Sequence, residues 1–188
     1  MEILKKIWSF LVDSFQTILL AASIFLVVYL FIFRPFQVSG LSMYPNFHDK
    51  EYILTSIISL KLAPLKRGDV IVFIAPDDPS KDYIKRIVGL PGDSIMLKNG
   101  NVYENGKLYN ESSYLKPTVK TYGGAFLREG VTITVPKKNY FVMGDNRPES
   151  SDSREWGYVS FGAVIGKAFL VYWPANRMQF LTNPFNHK

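Results

Sequence analysis

The sequence predicts a mainly β protein: a single N-terminal transmembrane helix followed by an antiparallel β-sheet or partly closed β-barrel domain. Three observations carry this reading. Residues 14–33 are an uncharged run of 20 residues dominated by Leu, Ile, Phe, Val and Ala. Past residue 34, short alternating or β-branched runs are separated by residues that favour turns. After the apolar run, no amphipathic helical pattern long enough to compete with strands is found.

The apolar run comes first. A helix rises about 1.5 Å per residue, so residues 14–33 cover roughly the 30 Å hydrocarbon core of a bilayer. Lys5 and Lys6 precede the run, as they would in a cleavable signal. The run is longer than the ~7–15 residues of a signal's apolar stretch, however, and the first small-x-small string, Val38-Ser39-Gly40, lies beyond Arg34-Pro35. It is therefore read as an uncleaved anchor, with residues 1–13 a short cytoplasmic segment. Lys5 and Lys6 before the span against Arg34 after it favour a cytoplasmic N-terminus by a narrow margin.

Strands are expected at 36–38, 52–57, 69–74, 83–88, 94–97, 101–103, 131–135, 140–143 and 166–173. The breaks between them carry turn chemistry, as in Lys66-Arg67-Gly68-Asp69, Leu90-Pro91-Gly92-Asp93, Asn99-Gly100 and Asn105-Gly106. The two Asn-Gly pairs suggest a small meander of hairpins at 94–110. Residues 34–182 are read as one domain, with about 94–135 a smaller β insertion and 183–188 a tail. Residues 111–130 lack periodicity, and Tyr122-Gly123-Gly124 marks a loop.

Composition narrows the chemistry. With no cysteine, the chain forms no disulfide and no thiolate metal site, and its two histidines, His48 and His187, do not suggest a metal centre. No carboxylate run has calcium-loop spacing. The net charge of +6 resides entirely beyond residue 33. It is either a solvated basic surface or an attraction to anionic headgroups of a phospholipid membrane beside the anchor. No Lys/Arg run exceeds two residues and no basic stripe is interleaved with aromatics, so nucleic acid is not an expected partner.

One serine stands out by position. Ser42, in Gly40-Leu41-Ser42-Met43-Tyr44-Pro45, lies nine residues past the apolar run. That length reaches at most about 30 Å when extended, so the hydroxyl stays near the membrane. Phe36, Leu41, Met43 and Tyr44 beside it can dip into the interface, line a groove or pack in the core. A serine needs a base to act as a nucleophile. His48 and His187 read as surface residues, the latter in the tail. A lysine serves if burial keeps its amine neutral. Lys85 lies in the apolar strand Tyr83-Ile84-Lys85-Arg86-Ile87-Val88, where Lys85, Ile87 and Gly89 share one face and Ile84, Arg86 and Val88 the other. The same charged pair can instead guard an edge strand against aggregation.

Four strings occur in order behind the span: Gly-x-Ser-Met-x-Pro at 40–45, Arg-Gly-Asp-Val-Ile-Val-Phe at 67–73, Tyr-Ile-Lys-Arg-Ile-Val-Gly-Leu-Pro-Gly-Asp at 83–93, and Gly-Asp-Asn-Arg-Pro-Glu-Ser-Ser-Asp-Ser-Arg at 144–154. In these the chain resembles the bacterial type I signal peptidases, the Ser/Lys-dyad leader peptidases of the inner membrane. The resemblance runs from the anchor to about Trp173. It implies Ser42 as the nucleophile and Lys85 as the general base. Ser150 matches a serine that orients the lysine amine. Asp145, Asp152 and Arg154 match residues that buttress the site, and Arg86 is expected to pair with one of the aspartates. Asp-Asn-Arg strings also occur as ordinary turns.

The resemblance further implies a single-pass protein of the cytoplasmic membrane with its catalytic domain outside the cytoplasm. It implies secreted or membrane preproteins as substrates, cut after signal peptides with small residues at −1 and −3, through an acyl-enzyme, near the secretion translocon. No metal or organic cofactor is expected. The chain departs from the family pattern at Pro148-Glu149, at Asn46 and at Gly40. With no hydroxyl at position 40, the oxyanion is expected to rely on main-chain amides, chiefly that of Ser42. A peptidase dedicated to one substrate, and a non-enzymatic membrane-anchored adaptor, are the competing readings.

Overall fold

The computed structural model describes residues 1–185; His187 lies outside them. Helix α1 (Glu2–Phe31) is a 30-residue helix. It starts well before the apolar run because no proline or glycine interrupts residues 2–31, so the short N-terminal segment joins the same rod. Its Glu2–Tyr29 portion is long and apolar enough to cross a bilayer and is not buried against the rest of the chain.

The helix runs directly into the sheet. Strand β1 (Phe33–Gln37) pairs antiparallel with β2 (Tyr52–Ser56), in register Phe33↔Ser56 to Gln37↔Tyr52. The Ile57 amide donates to the Ile32 carbonyl at 2.9 Å. The link between anchor and Ser42 is thus half strand, fixed by ladder bonds rather than a free extended leash.

Beyond these lie α2 (Ser59–Leu62), β3 (Val70–Ile74), β4 (Asp82–Gly89), β5 (Ser94–Lys98), β6 (Asn101–Glu104), β7 (Lys107–Leu108), β8 (Thr132–Thr134), β9 (Asn139–Met143), α3 (Ser153–Trp156), β10 (Val159–Ser160), β11 (Val164–Trp173) and β12 (Gln179–Phe180). One antiparallel sheet has the order β1-β2-β11-β3-β4-β9-β10, with β12 on β11; a second has the order β7-β6-β5-β8. Among the described residues neither closes into a barrel. Each expected strand overlaps an observed one, although the expected 36–38 catches only the last two residues of β1. The additional β7, β10 and β12 are two residues long, too short for a period of two to show in a sequence.

β3 is buried on both faces, which explains its unbroken apolar run. Val70 and Val72 pack with Val38, Met43, Phe47 and Ile53, while Ile71 and Phe73 pack with Ile87, Val142 and Val159. A third cluster, with Ile95, Leu97, Val102, Val135 and Phe141, joins the small sheet to β4 and β9. β4 alternates as expected up to Ile87. There the ladder to β9 shifts register, and a Cβ on Gly89 would lie 3.0 Å from both Phe141 Cβ and Val135 Cγ2. This bulge turns Gly89 away from the Lys85 face and toward the third cluster.

The expected tail is docked over its first residues. Asn183 is buried, and its Nδ2 donates to Asp69 Oδ1 at 2.7 Å and to the Arg67 carbonyl at 2.9 Å. The Phe185 ring lies 5.6 Å from that of Tyr109 and 6.2 Å from that of Tyr114. Burial of an aromatic ring and a bidentate amide outweighs the tendency of chain ends to fray.

Candidate active site

Ser42 sits on a tight loop between β1 and β2 that is closed on itself. The Val38 amide donates to the Glu51 carbonyl at 2.7 Å, Lys50 N to Val38 O at 2.8 Å, and Tyr44 N to Leu41 O at 3.0 Å. Met43 and Phe47 are both buried and anchor the loop in the core, whereas Leu41 and Tyr44 are exposed. Gly40 adopts φ +88°, a conformation side-chain-bearing residues rarely tolerate, and its amide donates to Asp49 Oδ1 at 2.8 Å. The backbone path, rather than a missing hydroxyl, is what position 40 contributes. Among the described residues the Ser42 amide donates to no protein acceptor.

β4 carries Lys85 to this loop. Lys85 Nζ lies 2.8 Å from Ser42 Oγ, and the side chain is 4% exposed. Burial lowers its pKa from the usual 10.5 to about 8, against the opposing pull of Asp152, Asp145 and Asp77. Among the described residues no carboxylate oxygen pairs directly with it, and Asp145 and Asp152 are already engaged. Asp145 accepts from Arg86 Nε at 2.8 Å and Nη2 at 2.6 Å. Asp152 accepts from Arg154 Nε at 2.8 Å and Nη2 at 2.8 Å. Each buried arginine thus has its own counterion, and the lysine has a hydroxyl.

The stretch 144–154 is folded around the Ser42 loop. The Asn146 amide donates to the Ser42 carbonyl at 2.9 Å, and Asn146 Nδ2 to the Leu41 carbonyl at 3.0 Å. The Gly144 amide donates to Asp152 Oδ2 at 3.0 Å. A Cβ at Gly144 would collide with Ser150 Oγ and the Ser42 carbonyl oxygen, so only glycine permits this approach. Pro148 and Glu149 form a single 3-10 turn with Arg147. Pro148 fits because the first amides of such a turn need no partner within it.

Ser150 differs from expectation. Its Oγ is buried beside Gly144 but makes no hydrogen bond, to Lys85 or to any other described residue. Asn46 gains a definite contact: its Nδ2 donates to Asp145 Oδ2 at 2.8 Å and to the Tyr114 carbonyl at 2.9 Å. His48 lies with its ring 5.1 Å from that of Tyr44 and makes no bond to Ser42.

Arg147, Glu111, Tyr114 and Thr121 were not singled out by the sequence. The fully buried Arg147 pairs with Glu111 and donates to Thr121 Oγ1 at 2.6 Å and to the Gly144 carbonyl at 2.9 Å. The Arg86 guanidinium stacks 4.4 Å over the Tyr114 ring. The aperiodic 111–130 stretch therefore braces the back of the site. Its one visible signal is the arginine inside the 144–154 string.

A groove of about 330 Å³ opens in front of Ser42 and Lys85, lined by residues 36–42 and 82–85 with Ile53, Val72, Glu149 and Ser151. β1 is a terminal strand of its sheet, and β9 pairs with β4 only from Arg86 onward. Both walls therefore offer unpaired strand edges. Among the described residues no cluster of three or more His, Cys, Asp or Glu side chains is arranged to hold a metal ion.

The family described as "Signal peptidase, peptidase S26" matches residues 11–173. Signal peptidase IB of Staphylococcus aureus strain MRSA252 is 33% identical over 189 aligned positions, covering 95% of this chain and 97% of the relative. Signal peptidase I P of Bacillus subtilis subsp. natto is 36% identical over 179 positions, covering 93% and 96%. A crystal structure of a signal peptidase I from Enterococcus faecalis V583 is 29% identical with a TM-score of 0.47, covering 56% of this chain and 97% of that one.

Proposed function

This chain belongs to the signal peptidase family, peptidase S26, and from that premise we propose that Ser42 and Lys85 are the catalytic dyad of a membrane-anchored signal peptidase I. The observation that carries the proposal is the 2.8 Å contact between the Ser42 hydroxyl and a buried lysine amine that pairs with no carboxylate among the described residues.

The neutral Lys85 amine takes the Ser42 proton as Oγ attacks the scissile carbonyl carbon. The Ser42 amide, unengaged among the described residues, donates to the oxyanion; such a donor contributes about 3–4 kcal/mol. Collapse of the tetrahedral intermediate breaks the C–N bond, and the Lys85 ammonium returns its proton to the leaving amine. The neutral amine then deprotonates a water that attacks the ester, releasing the signal peptide's new carboxylate and restoring Ser42. Asp145–Arg86 and Asp152–Arg154 act as positioning pairs. They hold the two loops and keep the carboxylates from capturing the ammonium.

The substrate is an extended signal-peptide segment laid between the free edges of β1 and β4, where main-chain hydrogen bonds set its register. The groove, about 330 Å³ and lined by Phe36, Leu41, Ile53, Val72 and Ile84, favours small side chains at −1 and −3. Helix α1 is the anchor, with a cytoplasmic N-terminus and the domain on the outer side near the site of export. Confinement to the membrane surface raises the effective concentration of signal helices there.

The test is cleavage of a secretory preprotein by the full-length protein in detergent or lipid. Wild type releases the mature chain and Ser42→Ala does not. Equal cleavage by both would overturn the assignment.

A further inference from the structure

A second hollow is lined by the same two loops as the β1–β4 groove but shares no residue with it. Resting on the peptidase reading above, we propose that it receives the first residues of the mature chain, and that Lys116 and Lys120 make it prefer acidic side chains there.

The two hollows divide the same two loops between them. Residues 36–42 line the first and Tyr44 and Pro45 the second; Glu149 and Ser151 line the first and residues 145–148 the second. Ser42 and the Ser42–Asn146 bond lie at the divide. A peptide whose signal side occupies the groove, with its scissile carbonyl at Ser42 Oγ, continues over Tyr44 and Pro45 on its leaving side. The second hollow measures about 540 Å³ and is completed by residues 114–116, 118–120 and Tyr122.

The two sides differ in charge. Asp82 and Glu149 line the groove together with Lys85, the amine beside Ser42. Asp145, Arg147, Lys116 and Lys120 line the second hollow. Asp145 is neutralised by Arg86, and Arg147 by Glu111. Lys116 and Lys120 are exposed, and neither forms an ion pair among the described residues. Their loop is held rigid from behind by the bonds from Arg147 to Glu111 and Thr121 and from Asn46 to the Tyr114 carbonyl. The Lys120 stem lies against Gly100, where a Cβ would come within 2.9 Å of Lys120 Cδ. The loop that carries both lysines, and the stem of Lys120, are thus already held in place, which limits the ordering an acidic side chain must impose.

The test uses full-length protein in detergent and three preprotein substrates identical except at +2 to +4 of the mature chain, which carry Asp, Ser or Lys. At low salt the Asp substrate is expected to exceed the Lys substrate in kcat/KM by about three- to tenfold, the range for a pair of exposed charge contacts. The ratio should fall toward one near 1 M salt, where screening acts within about 3 Å. In Lys116→Glu/Lys120→Glu it should invert. Taking the ratio on one preparation cancels any difference in folded fraction. Equal rates for the Asp and Lys substrates with wild type, or an unchanged ratio in the charge-reversed protein, would overturn the proposal while leaving the peptidase reading in place. Absence of Ser42-dependent cleavage of all three would overturn both.

Discussion

Lys85 Nζ and Ser42 Oγ stand 2.8 Å apart, brought together by a central strand and a loop that no ladder bond connects. The contact depends on where the surrounding charges go. Arg86 and Arg154 take up Asp145 and Asp152, so the amine beside the hydroxyl is left to lose its proton.

The activity should therefore follow Lys85. With its pKa lowered to about 8 by burial, kcat/KM rises with pH through about 8 as the amine becomes neutral. Lys85→Arg keeps the charge but supplies no neutral base, and should lose at least ~10³-fold in kcat. A flat profile from pH 6.5 to 9.5, or an active Lys85→Arg, would exclude the dyad.

The same burial sets a stability trend. The folded pKa lies below the unfolded one, so at pH below about 8 the protein carries a penalty for charging a buried amine. As pH rises from about 8 toward 10.5, the unfolded state binds more protons and the penalty is relieved. The amount is roughly 3 kcal/mol for the whole window. Urea melts of the wild type should gain stability over this range, and Lys85→Met should remove the gain. An identical pH dependence in both proteins would show that Lys85 is not the source.

Arg86 offers a test of the charge arrangement. Arg86→Met leaves Asp145 buried with Asn46 as its remaining donor, which should cost about 3–5 kcal/mol. The freed carboxylate also favours the ammonium form of Lys85, so the residual activity should shift to higher pH. Adding Asp145→Asn should recover much of both effects. A loss of stability with an unmoved pH profile would mean that the pair braces the loop without tuning the lysine.

The strands were legible because their alternation and Asn-Gly turns are local signals, and the approach of Lys85 to Ser42 was legible because both residues lie within distinctive strings. The supporting contacts were less so. That Arg86 pairs with an aspartate could be expected, but the choice of Asp145 over Asp152 depends on how the 144–154 stretch folds. Arg147 and Glu111 bind across 36 residues, and nothing near Glu111 announces it. Gly89 escaped the period-two reading because a bulge intervenes. Position 40 read as a lost hydroxyl, whereas its φ of +88° makes glycine a backbone requirement.

Ser150 gives the last test. Its buried Oγ has no hydrogen-bond partner among the described residues, and a desolvated hydroxyl left without one costs roughly 1–3 kcal/mol. Ser150→Ala should therefore leave the melting midpoint unchanged or slightly raised. A hydroxyl kept at such a cost is explained if it serves a state other than this one. Once Lys85 takes the Ser42 proton, the ammonium has three N–H donors and needs acceptors. We propose that Ser150 turns to accept one of them, which orients the charge in the intermediate. Ser150→Ala should then lower kcat by about 10- to 100-fold with little change in KM. An unchanged kcat in the folded variant would return Ser150 to a packing role against Gly144.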